Sequence, residues 1–187
     1  MFSLGLDIGS SSVKVALTET HTGKKIAFVQ EPKDEMEILS VHSSWAEQDP
    51  NHWWKIVCIA IKKLLQKSGV DASQVQRIGI AYQMHGLVVV DESGDCLRNS
   101  IIWCDSRAVS IGEKAYQDLG AKKCMNHLLN SPANFTASKL KWVKENEPHI
   151  YEKIHKYMLP GDYIAYKFSG EMTTTINGLS EGTIWDF

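Results

Sequence analysis

The chain has 187 residues and nearly balanced charge, 20 Lys+Arg against 22 Asp+Glu, for a net −2. That balance excludes a nucleic-acid binder working by bulk phosphate neutralisation, and 43% hydrophobic with 22% charged residues excludes disorder as the default state. The length suits one domain of roughly 100–200 residues, or one domain and an unfinished second, with no need of a disulfide or metal staple. The four cysteines, Cys58, Cys96, Cys104 and Cys124, form no CxxC pair and read as buried thiols of a reducing compartment. The N-terminus lacks a basic flank before Asp7, so it is not a signal peptide. No apolar run approaches the ~18 residues of a membrane span. These features point to a cytoplasmic protein with no membrane partner.

Leu4 to Ile8 is an apolar run ending at Gly9, as in a buried strand. Gly9-Ser10-Ser11-Ser12 is a run of turn formers, after which Val13, Val15 and Leu17 alternate with period two. Thr22-Gly23 marks a second turn and Ile26 to Val29 a third strand, which makes an antiparallel meander. Residues 32–50 are polar and read as a long loop. Asp49-Pro50 starts a helix, and Trp53, Trp54, Val57, Ile61, Leu64 and Leu65 carry it to Gly69; the spacing predicts a helix over 50–68. The three tryptophans Trp45, Trp53 and Trp54 are expected to pack that helix onto the sheet.

A strand is expected over 75–82, with Ile78 and Ile80 on one face. Leu87–Val90 and Asp95–Leu97 flank Ser93-Gly94 as a hairpin, and Ile101-Ile102-Trp103 is a short strand. Helical spacing follows near 106–118, 121–129 and 137–146. Tyr157-Met158-Leu159 reads as a strand, residues 162–168 as a helix, and 171–187 as no clear element. Strands and helices in this order indicate an α/β architecture.

Three segments carry chemistry. In Asp7-Ile8-Gly9-Ser10-Ser11-Ser12 a strand delivers a carboxylate beside a turn of small residues. Such a turn lets phosphate approach the backbone, and the Asp can hold Mg²⁺ through water. The plainer reading is a serine-rich hairpin with an exposed acid. The turn is neither a Walker A loop nor a dinucleotide fingerprint. Gln83-Met84-His85-Gly86 follows a strand, where ligand sites form in α/β sheets, and Gln and His suit sugar hydroxyls. A histidine there is also a common structural residue. Cys104-Asp105-Ser106-Arg107 also follows a strand. Asp105 reads equally well as a helix N-cap, with Arg107 in a solvated first turn.

Taken in order, Leu4 to Lys14, Trp45-Ala46-Glu47-Gln48-Asp49-Pro50 with Trp53-Trp54, Gln83-Met84-His85-Gly86, Ile102-Trp103-Cys104-Asp105-Ser106-Arg107, Thr136-Ala137-Ser138-Lys139-Leu140, Leu159-Pro160-Gly161-Asp162-Tyr163 and Gly182-Thr183-Ile184-Trp185-Asp186 resemble the FGGY carbohydrate kinases. Gln83-Met84-His85-Gly86 has the form typical of xylulokinases; glycerol kinases carry an arginine and a glutamate there. Ser10 stands where the family usually has Thr, and keeps the hydroxyl.

The resemblance covers essentially the whole chain. It implies a ribonuclease H-like α/β fold, shared with actin and hexokinase, with a mixed sheet and flanking helices. It implies transfer of the γ-phosphoryl of ATP, with Mg²⁺, to a ketopentose such as D-xylulose. Carried over by position, Asp7 orients the Mg²⁺–phosphate group through water, and Gly9, Ser10 and Ser11 line the phosphates. Gln83, Met84 and His85 contact the sugar, with Asp105 and Arg107 on the sugar side. The family's general-base aspartate lies beyond Phe187, as does its nucleotide-binding domain, so residues 1–187 read as an incomplete N-terminal sugar-binding domain, inactive by itself, with a homodimer left open. The rivals are a kinase of the same family for another sugar or polyol, a non-catalytic sugar-binding module, and a hydrolysing ATPase or phosphatase of the same superfold.

Overall fold

A computed structural model describes all of residues 1–187. Eight strands and seven α-helices follow in the order β1 (Phe2–Ile8), β2 (Val13–Glu19), β3 (Lys25–Glu31), β4 (Glu47–Gln48), α1 (Pro50–Ser68), β5 (Val75–Tyr82), β6 (Val88–Val90), β7 (Ser100–Ile101), α2 (Val109–Leu119), α3 (Ala121–Lys123), α4 (Thr136–Asn146), α5 (Pro148–Tyr151), β8 (Lys156–Met158), α6 (Pro160–Ser169) and α7 (Ile176–Glu181). They divide into two compact units, one of residues 1–37 and 51–83, the other of residues 38–50 and 84–187.

The first unit is built on a mixed sheet of order β3-β2-β1-β5. β1, β2 and β3 form the expected antiparallel meander, and β5 adds parallel to β1. Alternation puts Leu4, Leu6 and Ile8 of β1 opposite Leu17, Val15 and Val13 of β2, and all six are buried. α1 buries Trp53, Val57, Ala60 and Leu64, the four-three-four spacing of one helical face. Burying each of the larger side chains contributes roughly 1.5–3 kcal/mol. Lys63 and Lys67 of α1 reach β3, at Glu31 Oε1 (2.6 Å) and the Phe28 carbonyl (3.1 Å). Ile78 pairs with Leu4 but lies on the edge strand and is exposed, so the β5 face is only partly covered.

The second unit pairs β4 with β7 and β6 with β8, both antiparallel. Its core is Leu87, Val89, Ile101 and Val143, with Leu140, Trp142, Tyr151 and Tyr157 packed around it. Several expectations change here. The hairpin after β6 exists, closed by Asp91 and Asp95, but its second arm makes only the Val90–Cys96 bridge and β6 takes β8 as its main partner. The 121–129 helix is α3 followed by a π-helical turn, Cys124–Leu128. The tail holds α7, whose start is capped by Thr175 accepting from the Gly178 amide (3.0 Å). The strand near 101 stops at Ile101, leaving Trp103 exposed. Of the four cysteines only Cys124 is buried, and Cys104 is exposed.

Candidate functional site

In the first unit the carboxyl ends of the parallel strands β1 and β5 lie side by side, with Ile8 opposite Tyr82. This end of a parallel pair is where α/β sheets place ligands. Asp7 stands near the end of β1 and meets Lys14 across the hairpin at 3.1 Å, with its side chain 48% exposed. An exposed pair of this kind contributes about 0–1 kcal/mol, so the carboxylate stays available. The Gly9 amide closes the turn onto the Ser12 carbonyl (3.0 Å). A Cβ at Gly9 would sit 3.1 Å from that same oxygen, which explains glycine there. Ser11 is exposed and Ser10 half-buried. A half-exposed acid beside a small-residue turn is the donor set an outer-sphere Mg²⁺ and its phosphates require. Gln83 extends the β5 ladder by donating its amide to the Ile8 carbonyl (2.8 Å), and it is buried.

Met84 and His85 belong to the second unit. Met84 is 55% exposed. His85 adopts a left-handed backbone, φ 59°, uncommon for a residue with a Cβ. Its amide donates to Glu181 Oε1 at 2.5 Å, and the same oxygen lies 3.5 Å from Nδ1. Its carbonyl accepts from Lys139 Nζ at 2.7 Å, and its ring leans on Phe135 with centroids 4.0 Å apart. The next residue is glycine because a Cβ there would come within 2.5 Å of Pro160 Cγ. Lys139 is fully buried and donates also to the Ile102 carbonyl (3.0 Å). The ammonium therefore ties the His85 loop to the loop that displays Trp103. Burial pulls its pKa down to about 8, with Asp105 pulling the other way.

Asp105 and Arg107 depart from both sequence readings. Neither caps α2, whose N-cap position is Ala108 without a side-chain bond, and Arg107 is not solvated. Their side chains are 0% and 1% exposed. Arg107 Nε lies 3.0 Å from each Asp105 carboxylate oxygen, and Nη2 reaches Asp105 Oδ2 (2.7 Å) and Glu47 Oε1 (2.7 Å). Asp105 also accepts from the Ala46 amide (2.6 Å). The guanidinium lies 3.8 Å from the Trp45 ring centroid and 4.8 Å from that of Trp142. Trp45 therefore stacks on an arginine in the second unit, whereas Trp53 alone of the three tryptophans is fully buried in α1. Asp105 and Arg107 thus brace the loops through each other, Glu47 and the Ala46 amide, while Arg107 Nη1 stays buried without a hydrogen-bond partner.

A cavity of about 560 Å³ lies elsewhere, against Tyr151, Met158, Leu159, Asp162 and Thr174. Burial pushes the Asp162 carboxyl pKa up. The Leu159 amide (3.2 Å) and Thr174 hydroxyl (2.9 Å) already bond it. We place the candidate site at His85, where polar groups converge on an open loop, and not at that cavity. Lys139 and Glu181 were not identified from the sequence as site residues.

Residues 2–187 match the family description "FGGY family of carbohydrate kinases, N-terminal domain". The chain is 35% identical over 164 residues to the xylulose kinase of Staphylococcus epidermidis (strain ATCC 12228 / FDA PCI 1200), covering 87% of this chain and 32% of that protein. A crystal structure of a "xyloylose kinase" from Brucella ovis superposes with TM-score 0.89 at 30% identity, covering 98% of this chain and 37% of that one. The gluconate kinase of Lactobacillus acidophilus superposes with TM-score 0.86 at 25% identity, covering 98% and 36%. The mixed sheet with flanking helices is thus the actin/hexokinase-type fold of these kinases. The chain spans about a third of the length of the curated relatives it matches. Over that span, fold and family agree: it belongs to the FGGY carbohydrate kinases and carries their N-terminal domain.

Proposed function

We propose that residues 1–187 are the sugar-binding part of an ATP-dependent kinase for a ketopentose such as D-xylulose. The observation that supports this reading is the Met84–His85 loop, a motif of xylulokinase type with Met84 open to solvent and His85 fixed by ionic partners. Met84 offers an apolar contact and His85 a donor or acceptor for a hydroxyl. Gln83, at the end of β5, is the third sugar-side residue. Asp7 would hold Mg²⁺ through water, with Gly9, Ser10 and Ser11 lining the ATP phosphates. When bound, the cation would neutralise charge on the transferring phosphoryl group.

Calorimetric titration of the chain with D-xylulose, D-ribulose, gluconate and glycerol tests this. D-xylulose binding that is weakened about tenfold or more by His85→Ala, the size of a lost hydrogen bond of about 1.4 kcal/mol, is the expected result. Absence of pentulose binding by the parent chain overturns the reading. The likeness to a gluconate kinase motivates a second reading, a kinase for another sugar or sugar acid, which the same panel separates by rank order.

A further inference from the structure

His85 is gripped at both of its main-chain polar groups by side chains of opposite charge. Its amide faces the Glu181 carboxylate on α7 (2.5 Å) and its carbonyl faces the Lys139 ammonium on α4 (2.7 Å). Each charge sits at the end of the backbone dipole that it stabilises. The two partners come from 96 and 54 residues away in the chain, so the grip is tertiary and not a local turn. Between them stands a left-handed, non-glycine residue, a conformation that persists only where surrounding structure enforces it. Lys139 binds the Ile102 carbonyl as well, and Thr136, three residues earlier on α4, bonds the Gly86 carbonyl (3.3 Å).

We infer that Lys139 and Glu181 are positioning residues for the sugar-binding loop: together they hold the His85 backbone in its left-handed form and so aim its imidazole, and the neighbouring Met84, at the substrate. This rests on the sugar-binding reading above and adds to it two residues that touch no substrate. Glu181 Oε1 also lies 3.5 Å from Nδ1, but that nitrogen neither donates nor accepts a hydrogen bond, so the grip on His85 is through its main chain. Asp105, Cys104, Arg107 and Glu181 are the charged or titratable groups that act on the Lys139 ammonium. None of them replaces its bond to the His85 carbonyl.

The test uses the 187-residue chain labelled with ¹⁵N, as the parent and as Glu181→Gln and Lys139→Met. Two readouts are taken, the His85 amide resonance with its HN–Hα coupling, and the calorimetric affinity for D-xylulose. In Glu181→Gln the His85 amide proton moves upfield, because a neutral acceptor replaces a carboxylate. The affinity falls about tenfold or more, as expected for a lost charge-assisted bond, while the melting temperature stays near the parent's. Lys139→Met is expected to shift the His85 coupling and lower affinity likewise; should burial of Lys139 make that variant unfold, Glu181→Gln decides alone. An unmoved His85 resonance, or a moved resonance with unchanged affinity, overturns the inference. If the parent binds no pentulose, the sugar reading fails on that result, and the His85 resonance still decides whether the loop is clamped.

Discussion

Arg107→Met removes the only guanidinium between Asp105 and two tryptophan rings and leaves a buried carboxylate without its counter-charge. Breaking a buried pair in this way costs roughly 3–5 kcal/mol, against 0–1 for an exposed pair such as Lys14–Asp7. Arg107→Lys keeps the charge but loses the fork and the stacking, and should fall between. Urea unfolding measures both, and a loss below about 1 kcal/mol for Arg107→Met would mean that desolvation cancels the pair. Lys139 gives a pH-dependent counterpart. Its folded pKa is about 8 against an ordinary 10.5. Between those values the folded chain has released a proton that the unfolded chain still holds, so this residue's contribution rises with pH through that window. Lys139→Met lacks that titration. From pH 7 to pH 10 the parent should therefore gain on Lys139→Met, toward about 3 kcal/mol at the limit. Unfolding midpoints at the two pH values check it, and a constant gap refutes it.

At the scale of elements, α7 carries Glu181 as its last residue and depends on a single cap. Thr175→Ala removes the bond to the Gly178 amide and should cost about 0.5–2 kcal/mol, read by thermal unfolding, with faster hydrogen exchange at the His85 amide as Glu181 loosens. Unchanged exchange there would separate the cap from the loop. The same helix shows why part of the fold was not legible in the sequence. Asn177 and Gly178 lower helix propensity over six residues, yet a side chain at 178 would press a Cβ to 2.8 Å from Thr174 Oγ1 and 3.1 Å from Leu159 Cδ1, so the glycine is set by tertiary packing that no local signal shows. β1 to β3, α1 and β5 were legible because hairpin turns, a Pro-led helix start and apolar period are local signals. Gln83, Met84 and His85 were legible as a strand-end motif. Lys139 and Glu181 were not, since nothing within a few residues of either marks a partner 54 or 96 positions away. Asp105 and Arg107 were marked by a motif, but a motif does not say whether a charged pair faces water or tryptophan.

Across the whole molecule, the candidate groups fall in both compact units: Asp7, Gly9, Ser10, Ser11 and Gln83 with the four-stranded sheet, Met84 and His85 with the second unit. Phosphoryl transfer needs, besides positioned substrates, a group able to take the proton of the attacking hydroxyl. Glu181 and Asp105 are the carboxylates tied to the His85 loop, directly and through Lys139. The first already accepts the His85 amide at 2.5 Å. The second is fully buried and bonded to Arg107 and to the Ala46 amide. Neither is set to receive a proton from a sugar. We therefore expect these 187 residues to bind pentulose without turning it over: with MgATP and D-xylulose, ADP formation stays at background in an assay where calorimetry registers binding. Pentulose-dependent ADP release from this chain, purified free of other kinases and lost in His85→Ala, would place a working base within it. Glu181→Gln would then be the variant to lose the rate, and the carboxylate now assigned to hold the loop would be its catalyst.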